Sequence, residues 1–468
     1  MTDSVAAARR LILPLALAQF ICSFAGSNMN VMITDISTDL DTTVAGVQTA
    51  ITLFLLIMAI FMIPGSKLTD RWGRKRCFIG GLVLYGVGAL VSAVSPGLGV
   101  LILGNSILEG VGTALLIPPV YILATIAFTD LTSRAKAFGV ISGMGGIGAA
   151  AGPLIGGVIT TAISWRAAFV FQALVVAAIV LLSRRLDDPL PADPQRPFDA
   201  VGALLSAVGM FFVVFGILQA DNDVALMVVL LAVGAAFLLS FFLYIRGRER
   251  AGKEPLLSTG LFKNRVSNLG LATQNLQWLL LMGTSFVVAV FLQEVRGYNA
   301  IQTGVIFTAA TLGVLVSSLG AERFAKRRAQ RTLIMAGFVV TAAGIAVLLA
   351  LVGASSRVVA FGPGLLLIGL GLGVMLTPSV NLVQSSFPEQ QQGEISGLSR
   401  SISNLGSSFG TAVAGTILVS DLGSGNTSYV VAMSVLGVLA LAGLAVATRL
   451  PSAPERERAP AELVGAPG

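Results

Sequence analysis

The sequence contains no histidine and only two cysteines. It therefore lacks both the commonest metal ligand and the side chain that titrates near neutral pH. Cys22 and Cys77 lie in or beside apolar stretches, and their placement suits neither an outward-facing disulfide nor a metal site. Charge is scarce too: 11% of residues are ionisable at neutral pH, under half of the roughly 25% usual in soluble domains. No nucleophile and base pair, metal-ligand cluster or phosphate loop is present, so neither an enzyme nor a resident cofactor is expected.

What the chain has in abundance is apolar length. Hydrophobic residues make up 55% of its 468 positions, and fourteen runs are each long enough to cross a roughly 30 Å hydrocarbon layer as a helix. The first run follows Arg9 and Arg10 but exceeds the apolar core of a signal peptide, so it is expected to be retained. The formal charge of +7 could suggest nucleic acid, but its distribution points to lipid. If the N-terminus lies inside, the alternating loops place all of the 30 lysines and arginines except Arg166, Arg296, Arg357 and Arg400 on the cytoplasmic side. That bias predicts a multi-pass protein of the inner or plasma membrane with both termini cytoplasmic.

The two ends of the chain echo each other. Gly110, Gly112 and Pro119 recur as Gly369, Gly371 and Pro378, while Gly139, Gly148, Gly152 and Gly157 recur as Gly397, Gly406, Gly410 and Gly415. Gly65, Arg71 and Arg76 return as Gly320, Lys326 and Arg331. The expected organisation is an N-terminal six-helix bundle over 1–185, a cytoplasmic linker with two extra helices over 186–257, a C-terminal six-helix bundle over 258–450 and a disordered tail over 451–468. In such paired repeats the substrate sits near the midplane between halves that rock.

Polar residues on three spans mark the expected cavity. Asn105, Ser106, Glu109, Gly112 and Thr113 share one face of the fourth span at helical spacing. Gln19, Ser23, Ser27, Asn30 and Thr34 do so on the first, and Gln274, Gln277 and Trp278 cluster on the ninth. A charge at mid-bilayer costs roughly 2.5–3.5 kcal/mol on insertion scales, so Glu109 should face the bundle interior. With no histidine available, it is the candidate proton-coupling group; the bland alternative is a permanently neutral acid bonded across helices. Arg400, in the thirteenth span, is either a second functional charge or a side chain snorkelling to the inner surface, and snorkelling is favoured.

The stretch "GSKLTDRWGRKR", residues 65–76, resembles the G-x-x-x-x-D-R-x-G-R-[KR] loop of the major facilitator superfamily. The stretch "GIGAAAGPLIGG", residues 146–157, is similar to the G-x-x-x-G-P-x-x-G-G motif of its drug:proton antiporters. Gly148, Gly152 and Gly156 lie four apart, letting a neighbouring backbone approach; Pro153 permits a bend and Gly157 completes the motif. "PLLSTGLFKNR" and "FLQEVRGYNAIQTG" look like the fourteen-spanner branch. The resemblance implies that Gly65, Asp70, Arg71, Gly73 and Arg74 form a cytoplasmic latch, with Asp70 near the positive end of a second-half helix.

Two family charges are missing: Ala25 or Gly26 stands where the branch has an acid, and Ser106 beside Asn105 where it has an arginine. Glu109 stands where the family has glutamine, which suggests a relocated protonation site. The expected function is proton-coupled export of small amphipathic molecules by a monomer, with hydrophobic or weakly cationic cargo favoured over sugars or anions. An uncoupled facilitator, a lipid or metabolite exporter, and a non-transporting sensor are the alternatives.

Overall fold

The computed structural model describes residues 2–128, 131–184, 192–195, 197–220, 223–325, 329–354, 358–388, 391–419 and 426–451. Nearly all of the expected tail, the Lys326 counterpart of Arg71 and the start of the 186–257 linker lie outside the described residues. Among the described residues all regular structure is helical. Twelve helices are long and apolar enough to cross a membrane, or thirteen if a bent pair is one span.

The first half comprises α1 (Thr2–Asn28), α2 (Ile33–Asp39), α3 (Val44–Trp72), α4 (Arg74–Ala93), α5 (Leu98–Leu101), α6 (Gly110–Ala127), α7 (Leu131–Ala162) and α8 (Trp165–Ser183). A π-helical stretch, Ile102–Glu109, joins α5 to α6. Then come α9 (Ala200–Leu218) and α10 (Val224–Arg250). The second half holds α11 (Arg265–Val290), α12 (Ala300–Ala325), α13 (Gln330–Ala354), α14 (Gly362–Gln384), α15 (Gln392–Val419) and α16 (Asn426–Ala447).

Local chemistry sets many of these ends. Thr43, Ser164, Asp199, Asp223 and Asn264 each accept a hydrogen bond from a first-turn backbone N–H at the start of α3, α8, α9, α10 and α11, satisfying donors that a helix start leaves open. Between α3 and α4, Gly73 has φ 96°, a conformation that a Cβ would oppose. In α7 the arms Gly143–Ala149 and Ala151–Ala162 meet at 41°. The bend has a local cause: Pro153 lacks the N–H that would bond the carbonyl of Ala149, and its ring crowds that carbonyl.

Packing repeats between the halves. The pairs α1–α7, α4–α6, α3–α6, α4–α8 and α1–α8 have counterparts α11–α15, α13–α14, α12–α14, α13–α16 and α11–α16. Two seams join the halves, α3 against α15 and α7 against α12. Helices α9 and α10 cross closely at Gly209 and Gly234, where a Cβ would meet Leu238 and Val213. Met210 and Val214 of α9 pack on Leu56 and Ile60 of α3 beside Leu405 and Phe409 of α15. The pair therefore leans on the α3–α15 seam, while α10 leaves Val224, Val228, Val229, Leu239 and Leu243 exposed, as a lipid-facing helix would.

Helix α15 is long enough to span but falls outside the twelve. Its serines, Arg400 and Asn404 lower its hydropathy, and they are buried or half-buried against other helices instead of facing outward.

Candidate functional site: a cavity between the halves

Between the halves lies a cavity of about 60 Å³. Helix α1 contributes Gln19, Cys22, Ser23 and Gly26, and α3 contributes Leu55, Met58 and Met62. From the second half come Trp278 and Met282 of α11, with Arg400, Ser403, Asn404 and Ser407 of α15. Contact between the halves brackets it at both ends. At the end carrying the basic 65–76 loop, Lys67 Nζ lies 2.7 Å from Glu394 and 3.0 Å from Glu254. At the opposite end Gln293 donates to the Asn30 carbonyl at 2.8 Å, and Ile301 N donates to Thr161 at 3.1 Å.

Of the residues read from the sequence as substrate-binding, Gln19, Ser23 and Trp278 line this cavity. Ser27 does not: its hydroxyl donates to the Phe24 carbonyl at 3.2 Å and sits under Gly152 of α7. Asn30 belongs to a separate turn, Met29–Val31, because α1 ends at Asn28, so the α-helical face does not continue to it or to Thr34. Gln274 accepts from Ser399 at 2.8 Å, joining α11 to α15. Gln277, three residues further along α11, is buried with neither end of its amide bonded among the described residues.

The polar face of the fourth span turns away from the cavity, to which α6 contributes Ile117. The residues from Ile102 to Glu109 adopt π geometry, whose i→i+5 bonding rotates side chains off the face that 3.6-residue spacing predicts. Ser106 instead donates to the Ala50 carbonyl of α3 at 2.7 Å, and Asn105 is buried with its Nδ2 unbonded. Glu109 is fully buried against α4. A Cβ on Gly88 would lie 2.9 Å from its Cγ and 2.7 Å from the Gly104 carbonyl, so the glycines let α4 and the π stretch touch here. Tyr85 and Ser92 approach the carboxyl, yet neither oxygen attains satisfactory hydrogen-bond geometry. The Tyr85 hydroxyl is turned to Gln172 of α8, and that of Ser92 to the Gly88 carbonyl at 2.9 Å.

Sequence reasoning missed the polar face of α15. Arg400, Ser403, Asn404 and Ser407 are spaced i, i+3, i+4 and i+7, a signal that was available to the same helical rule. Arg400 does not snorkel. Its guanidinium lies over the Tyr121 ring, 4.9 Å from the centroid, and bonds the Tyr121 hydroxyl. That hydroxyl in turn donates to Gln19 Oε1 at 3.2 Å, and Gln19 Nε2 donates to Ser23 at 3.2 Å. This chain ties α15 to α6 and α1 across the cavity.

The basic loop is braced by contacts of its own. Asp70 pairs with Arg74 at 3.0 Å within the first half, and its carbonyl accepts from Asp193 N at 3.1 Å. Thr69 donates to the Gly65 carbonyl at 2.8 Å, and Arg71 is half-buried with no bridge to the second half among the described ion pairs. Among the described ion pairs, Lys67 joins the halves, to Glu394 in the first turn of α15.

In α7, a Cβ on Gly148 would strike the Phe20 carbonyl of α1, one on Gly156 would crowd Asn28, and one on Gly157 would strike the Ala300 carbonyl of α12. The Pro153 carbonyl packs in the same way against Gly304. The motif thus seats α7 against both its own half and the other.

The model of the Major Facilitator Superfamily matches residues 15–411 and 278–467. The chain belongs to the Major Facilitator Superfamily. Over 409 residues it is 31% identical to a puromycin resistance protein of Streptomyces alboniger, covering 86% of this chain and 80% of that one. It is 29% identical over 366 residues to a multidrug efflux pump of Mycolicibacterium smegmatis, covering 78% and 72%. A tetracenomycin C resistance and export protein of Streptomyces glaucescens is 28% identical over 406 residues, covering 83% and 72%. This superfamily protein is a multi-pass membrane transporter, not an enzyme.

Proposed function

We propose that this transporter exports small amphipathic molecules by alternating access and that proton uptake drives it. The observation that carries this reading is the part-polar cavity between the halves, with contacts between them toward both ends of the bundle. At about 60 Å³ it is smaller than the roughly 300–1,000 Å³ of small-molecule pockets, so cargo enters only when one seam opens. Relatives named for puromycin resistance, multidrug efflux and tetracenomycin C export support the cargo class.

The chain is read as fourteen spans, with α7 and α15 completing the set and α9–α10 inserted between two six-helix lobes over 1–185 and 258–450. Both termini face the cytoplasm, and the protein works as a monomer. The 65–76 loop acts as the latch at that face, with Gly73 shaping it, Asp70 and Arg74 bracing it, and Lys67 making the closure. Glu109 is the proton-carrying group. It acts from within the first half, through α4 and α8, because Tyr85, Ser92 and Gln172 lie on that side of it. Glu109→Gln in proteoliposomes is expected to abolish export driven by an imposed pH gradient; unchanged transport would remove Glu109 from the mechanism.

An uncoupled facilitator is favoured by one observation, the separation of Glu109 from the cavity lining. Measuring pH in the trans compartment during flux separates the two readings, since only coupled export exchanges protons for cargo and so raises the pH of the compartment that receives it.

A further inference from the structure

The cavity has an electrostatic character that sequence patterning did not suggest. Among its lining residues Arg400 is the one that carries charge. No carboxylate pairs with it among the described residues, and Glu109 is turned to α4. The only hydrogen bond its guanidinium makes within the described protein goes to Tyr121, leaving most of its five N–H donors without a protein acceptor. One turn along α15, Asn404 lines the same cavity with its Nδ2 buried and unbonded. The hydroxyls of Ser403 and Ser407 already donate to the Ser399 and Ser403 carbonyls. The polar wall is therefore rich in open donors and carries an uncompensated positive charge. The rest is soft and apolar, with Met58, Met62, Met282 and the indole of Trp278, surfaces that suit a flat ring system.

We infer that the cavity selects amphipathic molecules bearing a negative charge, flat apolar acids in particular, with Arg400 receiving the anion and Asn404 donating beside it. This rests on the export reading and reverses the cargo charge expected from the sequence. A planar guanidinium presents paired donors that match a carboxylate, and its contacts with the ring and hydroxyl of Tyr121 hold it in place. The Tyr121–Gln19–Ser23 chain holds that ring in turn. A cationic cargo would meet a like charge with no acid nearby to offset it, in surroundings of low dielectric. Because Arg400 belongs to the second half and Tyr121 to the first, an anion captured here also sits where the halves separate.

The test compares three probes of one shape on the full-length protein in nanodiscs: anthraquinone-2-carboxylate, its neutral primary amide and the cationic 2-aminomethyl analogue. Binding is read by quenching of tryptophan fluorescence, with Trp278→Phe as the control for location. The wild type is expected to bind the carboxylate at least ten-fold more tightly than the amide and to bind the cation most weakly. Arg400→Gln is expected to bring carboxylate and amide within three-fold while leaving amide binding in place, and Arg400→Lys to retain part of the preference. Amide binding equal to carboxylate binding in the wild type, tighter binding of the cation, no binding of any probe, or a preference that survives Arg400→Gln would each overturn the inference. The same probes are then followed across proteoliposomes. Selective binding with no flux leaves the selectivity standing and removes the export reading, whereas flux of the cation in preference to the acid does the reverse.

Discussion

Lys67 offers a direct test of how the halves are held together. Its side chain is 11% exposed and its ammonium touches Glu394 at 2.7 Å and Glu254 at 3.0 Å, side chains that are 20% and 33% exposed. At an effective dielectric near 20 each contact is worth about 6 kcal/mol before any cost is counted. Desolvation of three groups and repulsion between the two acids offset most of this, leaving about 1.5–3 kcal/mol, as for other partly buried charged hydrogen bonds. Separation of α3 from α15 at this end must break the Glu394 contact. Lys67→Gln should therefore shift the balance toward the state open at the basic end by about ten- to a hundred-fold, at 1.4 kcal/mol per factor of ten. Spin labels at Arg76→Cys and Ser385→Cys, both exposed positions, in a background lacking Cys22 and Cys77, would report it as a longer distance by electron–electron resonance. Adding Glu394→Gln to Lys67→Gln should partly reverse the shift by relieving repulsion with Glu254. Unchanged distance distributions in both variants would refute this account of closure.

Glycine packing in α7 should be position-specific. A Cβ on Gly146 meets nothing within 4 Å whereas one on Gly148 strikes the Phe20 carbonyl, so Gly146→Ala should leave the melting temperature in detergent near wild type. Gly148→Ala should lower it, by an overpacking cost of about 1–3 kcal/mol; equal behaviour would show that α1 yields. At the opposite end of the bundle, the Arg166 guanidinium, aided by the Trp165 indole N–H, holds the Asp39 carboxyl below the usual carboxylate range. A group with a depressed folded-state value stabilises the fold above its unfolded value near 3.9 and loses that contribution as pH falls through the folded value. Asp39→Asn should therefore melt slightly earlier than wild type at pH 7, by well under the equivalent of 1 kcal/mol given the exposure of the pair, and the gap should close on acidification below about pH 4. A gap that persists in acid would point to packing instead of charge.

Parts of the site were legible because regular helices carry their geometry in their spacing. Gln19 and Ser23 on α1 and Trp278 on α11 reach the cavity from the faces that 3.6-residue periodicity assigns. The same rule placed Glu109 inside the bundle but not relative to the cavity, since a π stretch ending at Glu109 changes the phase for it and for Ser106, and periodicity cannot announce where one occurs. Asn30 was misplaced for a related reason, the end of α1 at Asn28. Arg400 and its neighbours on α15 had the right spacing, but spacing alone does not say whether a cation near a helix end turns to the surface or to a partner; Tyr121, 279 residues away in the chain, decides that.

The sequence by itself determined that the chain would dissolve in lipid, since its apolar runs leave backbone groups no option there except helices. It also determined the repeat of the halves, which is a periodic property. Only the tertiary structure decided which polar side chains meet. Glu109 lies against Gly88 because two glycines let two backbones touch, and the cavity carries a positive charge because an arginine of one half stacks on a tyrosine of the other. Both depend on contacts between distant segments, and no pattern within a single helix encodes them.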